Sequence, residues 1–226
     1  MLAGVMMMPS TYVRPRAVLL RSLVACLFLL AASPGLLAQS GGSVTPAALV
    51  QKLKGGGYNV YVRHAATDWS QSDAISDVGD TMSCDGGKVR QLSDKGREAA
   101  RRTGKALKSL GIGFGKVFSS PYCRCVETAR LMSGKEPEVT HDLMNLRSAD
   151  FVGGREAVTE RTRRRLSTPP GKGRNVLYAA HGNLGKAATG EYLGEGELLI
   201  VAPRGGGEFA IEGRLKLADL EKQVPD

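Results

Sequence analysis

Three short stretches of this chain bring together the residue types that handle phosphate. Arg63 and His64 follow the apolar run YNVYV, Ser119 and Ser120 lead into Arg124, and His181 and Asn183 follow the apolar run NVLYAA. Arginine forks hold tetrahedral oxyanions through paired, charge-assisted hydrogen bonds, and a neutral imidazole can attack phosphorus. A lone histidine is more often structural than reactive. Here the chain has three histidines, two of which stand in these stretches, while His141 has no motif around it and reads as a surface residue.

Something must carry these residues to one place. YNVYV (58–62), KVFSS (116–120) and NVLYAA (175–180) read as strands, each followed by a helical pattern. PAALVQKLKGGG is a short helix closed by glycines, and Ser93 caps a helix whose face Gly96, Ala99, Ala100, Thr103, Leu107 and Leu110 ends at Gly111. Ser120 and Pro121 read as the cap and first position of a helix that ends at Gly134, with Arg124 one turn in. Further helices are expected over 155–167 and 182–193, and LLIVA and EFAIEG close the chain as two strands around PRGGG. Strands alternating with helices imply an α/β fold, a three-layer sandwich with a mostly parallel central sheet and helices on both faces. In such sheets ligands bind beyond the carboxyl ends of the strands, where all three stretches fall.

With those residues placed, YVRHAAT resembles the Arg-His-x-x-Thr signature of the histidine phosphatase superfamily, the phosphoglycerate-mutase-like family. SSPYCRCVETA resembles its Ser-Ser-Pro-x-x-Arg-x-x-x-Thr-Ala block, LSDKGREAA its Leu-Ser-x-x-Gly helix, and AAHGNL its second His-Gly motif. The four blocks occur in the family's order across about residues 58–212. The resemblance implies a phosphohistidine mechanism: His64 is the nucleophile, Arg63 and Arg124 clamp the phosphoryl oxygens, and His181 stabilises the charge in transfer. It implies neither a metal nor another cofactor. Thr67 either contacts substrate or ends a turn, and Asn183 is either a phosphate ligand or a helix cap. The implied activity is hydrolysis of a phosphomonoester or phosphoanhydride. The rival readings are a phosphohistidine phosphatase and a catalytically idle phosphoryl-binding protein of the same fold.

One departure from the family bears on the chemistry. Enzymes of this type protonate the leaving alkoxide with a Glu after the second motif's helix or an Asp beside the second histidine, and here Asn145 and Gly182 stand at those places. Asp142, Asp150, Glu195 and Glu197 are the candidate substitutes, and the absence of any acid is the alternative. The polar, glycine-containing stretch from Thr67 to Val89 is a long loop, of a length that is usually functional. It contains Trp69, which either lines the pocket or packs over the sheet. The run Arg163, Arg164 and Arg165 reads as a solvated helix face, with a lipid- or polyanion-binding patch that takes in the flanking Arg161 as the alternative.

Composition narrows the setting. The formal net charge is +9, and it stays near +6 without the first 38 residues, which hold three arginines and no acidic side chain. That balance suits anionic partners, a phosphorylated small molecule or envelope component, and the absence of basic-aromatic interleaving argues against nucleic acid. Residues 1–38 have the layout of a secretory signal peptide, with an apolar core too short to span a bilayer. Residues 39–57 are then a linker and N-terminal helix, and 58–226 the phosphatase domain, expected in the periplasm or outside the cell with no stable membrane span. Cys26 lies in the leader. In an oxidising compartment Cys84 and Cys123 are the expected disulfide, because Cys123 and Cys125 point to nearly opposite sides of a helix.

Overall fold

A computed structural model describes residues 44–225. The expected leader, residues 1–38, and most of the expected linker lie outside the described residues. The elements in chain order are α1 (Pro46–Gly55), β1 (Asn59–Arg63), α2 (Asp94–Ser109), β2 (Phe114–Ser119), α3 (Cys123–Ser133), β3 (Glu138–Val139), α4 (Gly154–Ser167), β4 (Asn175–Ala180), α5 (Gly182–Thr189), β5 (Leu198–Gly205), β6 (Glu208–Leu215) and α6 (Leu217–Glu221). They form the expected three layers around one six-stranded sheet of order β3-β2-β4-β1-β5-β6. The first four strands of that order are parallel, and β5 and β6 add an antiparallel hairpin against β1.

Alternation along the strands splits the core in two. Val60, Val62, Leu177, Ala179 and Ile200 point to the layer that holds α1, α2, α3 and α6, while Tyr61, Tyr178, Ala180 and Leu199 point to the α4 and α5 side. Leu49, Val50 and Leu53 of α1 are buried in the first of these clusters, so α1 packs against the sheet. β4 is buried at all six positions, as a central strand covered on both faces must be.

Two glycines show how closely particular motif positions are packed. A Cβ on Gly96 of α2 would stand 1.9 Å from the Ala66 carbonyl oxygen, so the Leu-Ser-x-x-Gly helix lies directly against the backbone that follows His64. Ser93 caps that helix by accepting from Gly96 N–H at 3.1 Å, and its own N–H donates to the Ala66 carbonyl. Gly182, the first residue of α5, lies against Arg63, whose Cδ is 3.0 Å from where a Cβ would be. A side chain at 182 would press on that arginine, which would have to give by a few tenths of an ångström.

The start of α3 corrects the sequence reading. Its cap is Tyr122 and its first residue Cys123, so Ser120 and Pro121 precede the helix and Arg124 is its second residue. Ser120 is still part of the sheet edge, its N–H donating to the Ala179 carbonyl at 2.9 Å and its hydroxyl bonded to His181. The arginine run is also not a free solvated face. Arg161 and Arg165 both bind Asp142, at 2.8 and 2.7 Å, and Arg163 donates to the Ala188 carbonyl and lies over Phe209. Arg164 is exposed.

Candidate active site

The carboxyl ends of β1, β2 and β4 lie side by side, and this adjacency assembles the site. The His64 N–H donates to the Ala180 carbonyl, and the Tyr61 hydroxyl donates to the His181 carbonyl at 2.7 Å. Thr128, one turn into α3 beyond Arg124, accepts from Ala65 N–H at 3.0 Å and donates to the Arg124 carbonyl. The second motif is thus tied to the backbone of the first.

Each histidine is held in one tautomer. His64 Nδ1 is 2.9 Å from the Ala65 carbonyl oxygen. A carbonyl can only accept, so Nδ1 carries the proton and Nε2 keeps its lone pair. Burial, and next the charge of Arg124, push the His64 imidazole down to about 3, so it is neutral near pH 7. For His181 the argument runs through Asn145. Its Oδ1 accepts from Arg147 N–H at 3.0 Å and from Asn183 Nδ2 at 2.8 Å, which turns its NH₂ toward His181 Nδ1 at 3.2 Å. His181 Nδ1 therefore accepts, and Nε2–H donates to the Ser120 hydroxyl at 2.8 Å. Burial, then Arg124 and His64, hold His181 well below the ordinary imidazole range. The two rings meet edge to face, with centroids 5.7 Å apart.

The arginines form two layers. Arg63 donates to the Leu193 carbonyl and faces Glu195 at 3.5 Å. Arg124 is wholly buried, and both terminal nitrogens of its fork bind the Asp73 carboxylate, at 2.8 and 3.0 Å. Burial raises the Asp73 carboxyl, but hydrogen bonding and charge from Arg124 outweigh this and hold it ionised, below its ordinary value. Asp73 also accepts from Arg90 N–H, and Arg124 donates to the Arg90 carbonyl. The Arg90 guanidinium lies over Trp69, its Cζ 3.9 Å from the ring centroid. The Nε atoms of Arg63, Arg90 and Arg124 are buried without a hydrogen-bond partner among the described residues.

A cavity of about 550 Å³ opens over these groups, lined by Arg63, His64, His181, Asn183, Asn145 and Asp73 among others. Arg124 lies one layer below it, capped by Asp73. Thr67 does not line it: its hydroxyl donates to Glu195 at 3.2 Å, so it supports the carboxylate that faces Arg63. Trp69 is at the cavity mouth and exposed.

The four candidate acids lie elsewhere. Asp142 is consumed by Arg161 and Arg165, Asp150 is exposed on a 3-10 turn, and Glu197 accepts from Gly194 N–H. Glu195 faces Arg63 at 3.5 Å and does not line the cavity. The lining carboxylate is Asp73, kept ionised by Arg124.

The structure brings His64, Arg63, His181 and Asn183 to one cavity with Arg124 one layer below, as the sequence grouped them, and adds Asp73, Arg90 and the part Asn145 plays, which were not read from the sequence. Arg90 had a usable signal, standing two residues before the Leu-Ser-x-x-Gly block. Asp73 had none. The loop that carries both is stapled to α3 by the expected disulfide, Cys84 to Cys123, next to Arg124. Cys125 is a buried free thiol that burial raises to about 12.

The family model of the histidine phosphatase superfamily (branch 1) matches residues 60–171, a span that starts in β1 and takes in the first three motif blocks. The chain belongs to the histidine phosphatase superfamily. The chain is 36% identical over 76 residues to the mitochondrial serine/threonine-protein phosphatase Pgam5 of Drosophila grimshawi, a match that covers 34% of this chain and 24% of that protein. The chain therefore spans about a quarter of that relative's length. Among solved structures, the protein histidine phosphatase SixA complexed with tungstate is 18% identical and superposes with a TM-score of 0.51, covering 72% of this chain and 99% of its own. A phosphoserine phosphatase from Entamoeba histolytica superposes at 0.49 with 14% identity, covering 72% and 98%. The SixA likeness establishes the shared fold. Among the described residues no helix is long and apolar enough to cross a membrane, and no group of three His, Cys, Asp or Glu side chains gathers as a metal site.

Proposed function

We propose that this chain is a phosphatase that hydrolyses phosphate compounds through a phosphohistidine on His64. The observation that carries this reading is the bond from His64 Nδ1–H to the Ala65 carbonyl. It leaves Nε2 unprotonated, on a neutral ring that lines a cavity shared with Arg63 and Arg90. In the first step the Nε2 lone pair forms the N–P bond while the leaving oxygen departs with its electron pair. Arg63, with Arg90 beside it, offsets the charge on the equatorial oxygens, and Arg124 joins them once the incoming phosphoryl displaces Asp73 from its fork. Water then attacks phosphorus, the N–P bond breaks, and neutral His64 is restored.

Proton supply to the leaving group is weak by construction. Asn145 replaces the family's acid and serves His181, Gly182 makes room for Arg63, and Asp73 is held ionised. Such a site favours leaving groups that depart without much help, namely phosphoanhydrides, aryl phosphates and phosphohistidine. Export follows in the same reading, supported by the leader-like first 38 residues and by the Cys84–Cys123 bond, since disulfides persist in oxidising compartments.

The test is rapid-quench labelling with an aryl phosphate. Wild-type protein should carry acid-labile phosphate, and His64→Ala should lose the label and at least ~10⁴-fold of the turnover while keeping its fold. Turnover retained in the folded variant removes the assignment. Phosphate binding without turnover in wild type favours the idle binding protein.

A further inference from the structure

The positive charge around the cavity exceeds what one phosphoryl group can use. The two inner arginines are each matched by a carboxylate, Arg63 by Glu195 and Arg124 by Asp73. Outside them, Arg90, Arg147, Arg155 and Lys186 also line the cavity, and none has a carboxylate within 4 Å among the described residues. These four come from separate parts of the chain. Arg90 is in the stapled loop, Arg147 two residues past Asn145, Arg155 in the first turn of α4, and Lys186 on α5. A solvated face needs no such convergence, whereas a binding site for an extended anion does.

Their placement is also constrained. Arg90 is fixed at both backbone groups by Asp73 and Arg124, lies over Trp69, and keeps a buried Nε without a partner. Arg147 is anchored through its N–H to Asn145 Oδ1, the side chain that orients His181. Arg155 donates to the Leu146 carbonyl at 3.2 Å, which keeps it beside Arg147. Arg90 is therefore set in a fixed relation to the inner site, the Arg147 backbone and the Arg155 side chain are tied beside it, and Lys186 is exposed and donates to the Gly190 carbonyl.

We propose that Arg147 and Arg155, with Arg90 between them and His64, form a second anion subsite, so that the substrate carries at least one further phosphoryl or comparable anionic group beyond the one transferred. This rests on the phosphatase reading and names its substrate class, polyanionic phosphates. A single phosphoryl dianion fills the inner arginines. The second anionic group supplies the counter-charge for the outer ones and adds binding energy remote from the reacting bond, shared by ground state and transition state, so that it lowers KM.

The test compares inorganic phosphate with inorganic triphosphate as inhibitors of 4-nitrophenyl phosphate turnover, and propyl phosphate with propane-1,3-diyl bisphosphate as substrates. Triphosphate should inhibit at least ~10-fold more tightly than phosphate, with the advantage shrinking as salt is raised. Arg147→Gln/Arg155→Gln should reduce that advantage to about twofold or less. Lys105→Gln/Lys108→Gln removes the same charge at the opposite end of the sheet and should leave it intact, which separates a subsite from a general attraction to a basic protein. The bisphosphate should show the higher kcat/KM, through KM, and lose that margin in the arginine variant. Equal inhibition by phosphate and triphosphate, or an advantage that survives in the arginine variant, overturns the subsite. If wild type turns over nothing, the phosphatase reading has failed, and calorimetric binding of triphosphate against phosphate still decides the subsite.

Discussion

The two ends of the parallel sheet are both basic and both concave, yet they are built differently. At the amino ends of β2 and β4 a cavity of about 740 Å³, larger than the one over His64, is lined by Lys54, Lys105, Lys108, Lys135 and Arg174. All five are exposed. At the carboxyl ends the key groups are buried: Arg124 wholly, His181 at 1% and His64 at 4% exposure. Each is fixed by hydrogen bonds that dictate tautomer or fork direction. Positive charge and volume are common to both ends, so neither distinguishes a site. What differs is polar groups desolvated and pre-oriented before any ligand arrives, which is what lets charge act strongly on a reacting bond.

Burying two neutral imidazoles has a measurable cost, and acid exposes it most. A histidine whose folded value lies below its unfolded one takes up its proton in the unfolded chain first, so stability falls as pH drops below about 6.5. For His64 the fall continues to about 3, and His181, held well below the ordinary imidazole range, adds to it in the same direction. Two such groups give a slope approaching ~2.7 kcal/mol per pH unit. Urea unfolding between pH 6 and 5, above the range where ordinary carboxylates titrate, should show it, and His64→Asn should halve it. An unchanged slope in that variant would mean that the ring is charged in the folded protein. Nothing at the lysine-lined end should contribute.

The Asp73–Arg124 pair comes next in size. Asp73→Asn leaves a wholly buried guanidinium without its counter-charge. Losing one partner of a buried pair costs roughly 3 to 5 kcal/mol, and here about 2 to 3 is expected, because the Asp73 side chain is 14% exposed and the amide still accepts one hydrogen bond. Saturating inorganic phosphate should restore more stability to the variant than it adds to wild type, since phosphate no longer competes with Asp73 for the fork. Equal stabilisation of both proteins would show that phosphate does not meet Arg124.

Much of the carboxyl-end site could be read from the chain because its parts are local. Arg63 and His64, Ser119 to Arg124, and His181 to Asn183 each leave the end of one strand, so recognising three strands in a parallel sheet brings them together. Asp73 and Arg90 were not legible, since they reach the site through a loop whose path depends on the Cys84–Cys123 bond and on Arg124 itself. Asn145 was noticed as a missing acid, but its positive role needs the positions of His181, Arg147 and Asn183. Ser120 misled as a helix cap because its hydroxyl was already taken by a histidine 61 residues away. Likewise, Arg165 looked solvated because its partner, Asp142, is 23 residues distant and comes near only when α4 packs.

The smallest expected effect is the sharpest test of the contrast between the two ends. Lys105→Glu/Lys108→Glu changes the net charge by four in the wide basic cavity, more than the loss of Arg147 and Arg155 together would change it at the active site. β4 runs from one end to the other in six residues, which at about 3.3 Å per residue separates the ends by roughly 17 to 20 Å. That is about twice the Debye length at 0.15 M salt. Both lysines are exposed, and neither has a carboxylate within 4 Å among the described residues. Stability should therefore move by no more than about 0.5 kcal/mol, and kcat/KM for an aryl phosphate by less than about twofold at that salt. At 0.01 M the Debye length grows to about 30 Å, and a modest fall in kcat/KM through KM should emerge, because the field of the whole molecule still steers an anion. A severalfold loss at 0.15 M salt would mean that the lysine-lined cavity acts on the reaction, and that burial and pre-orientation are not what separate the two ends.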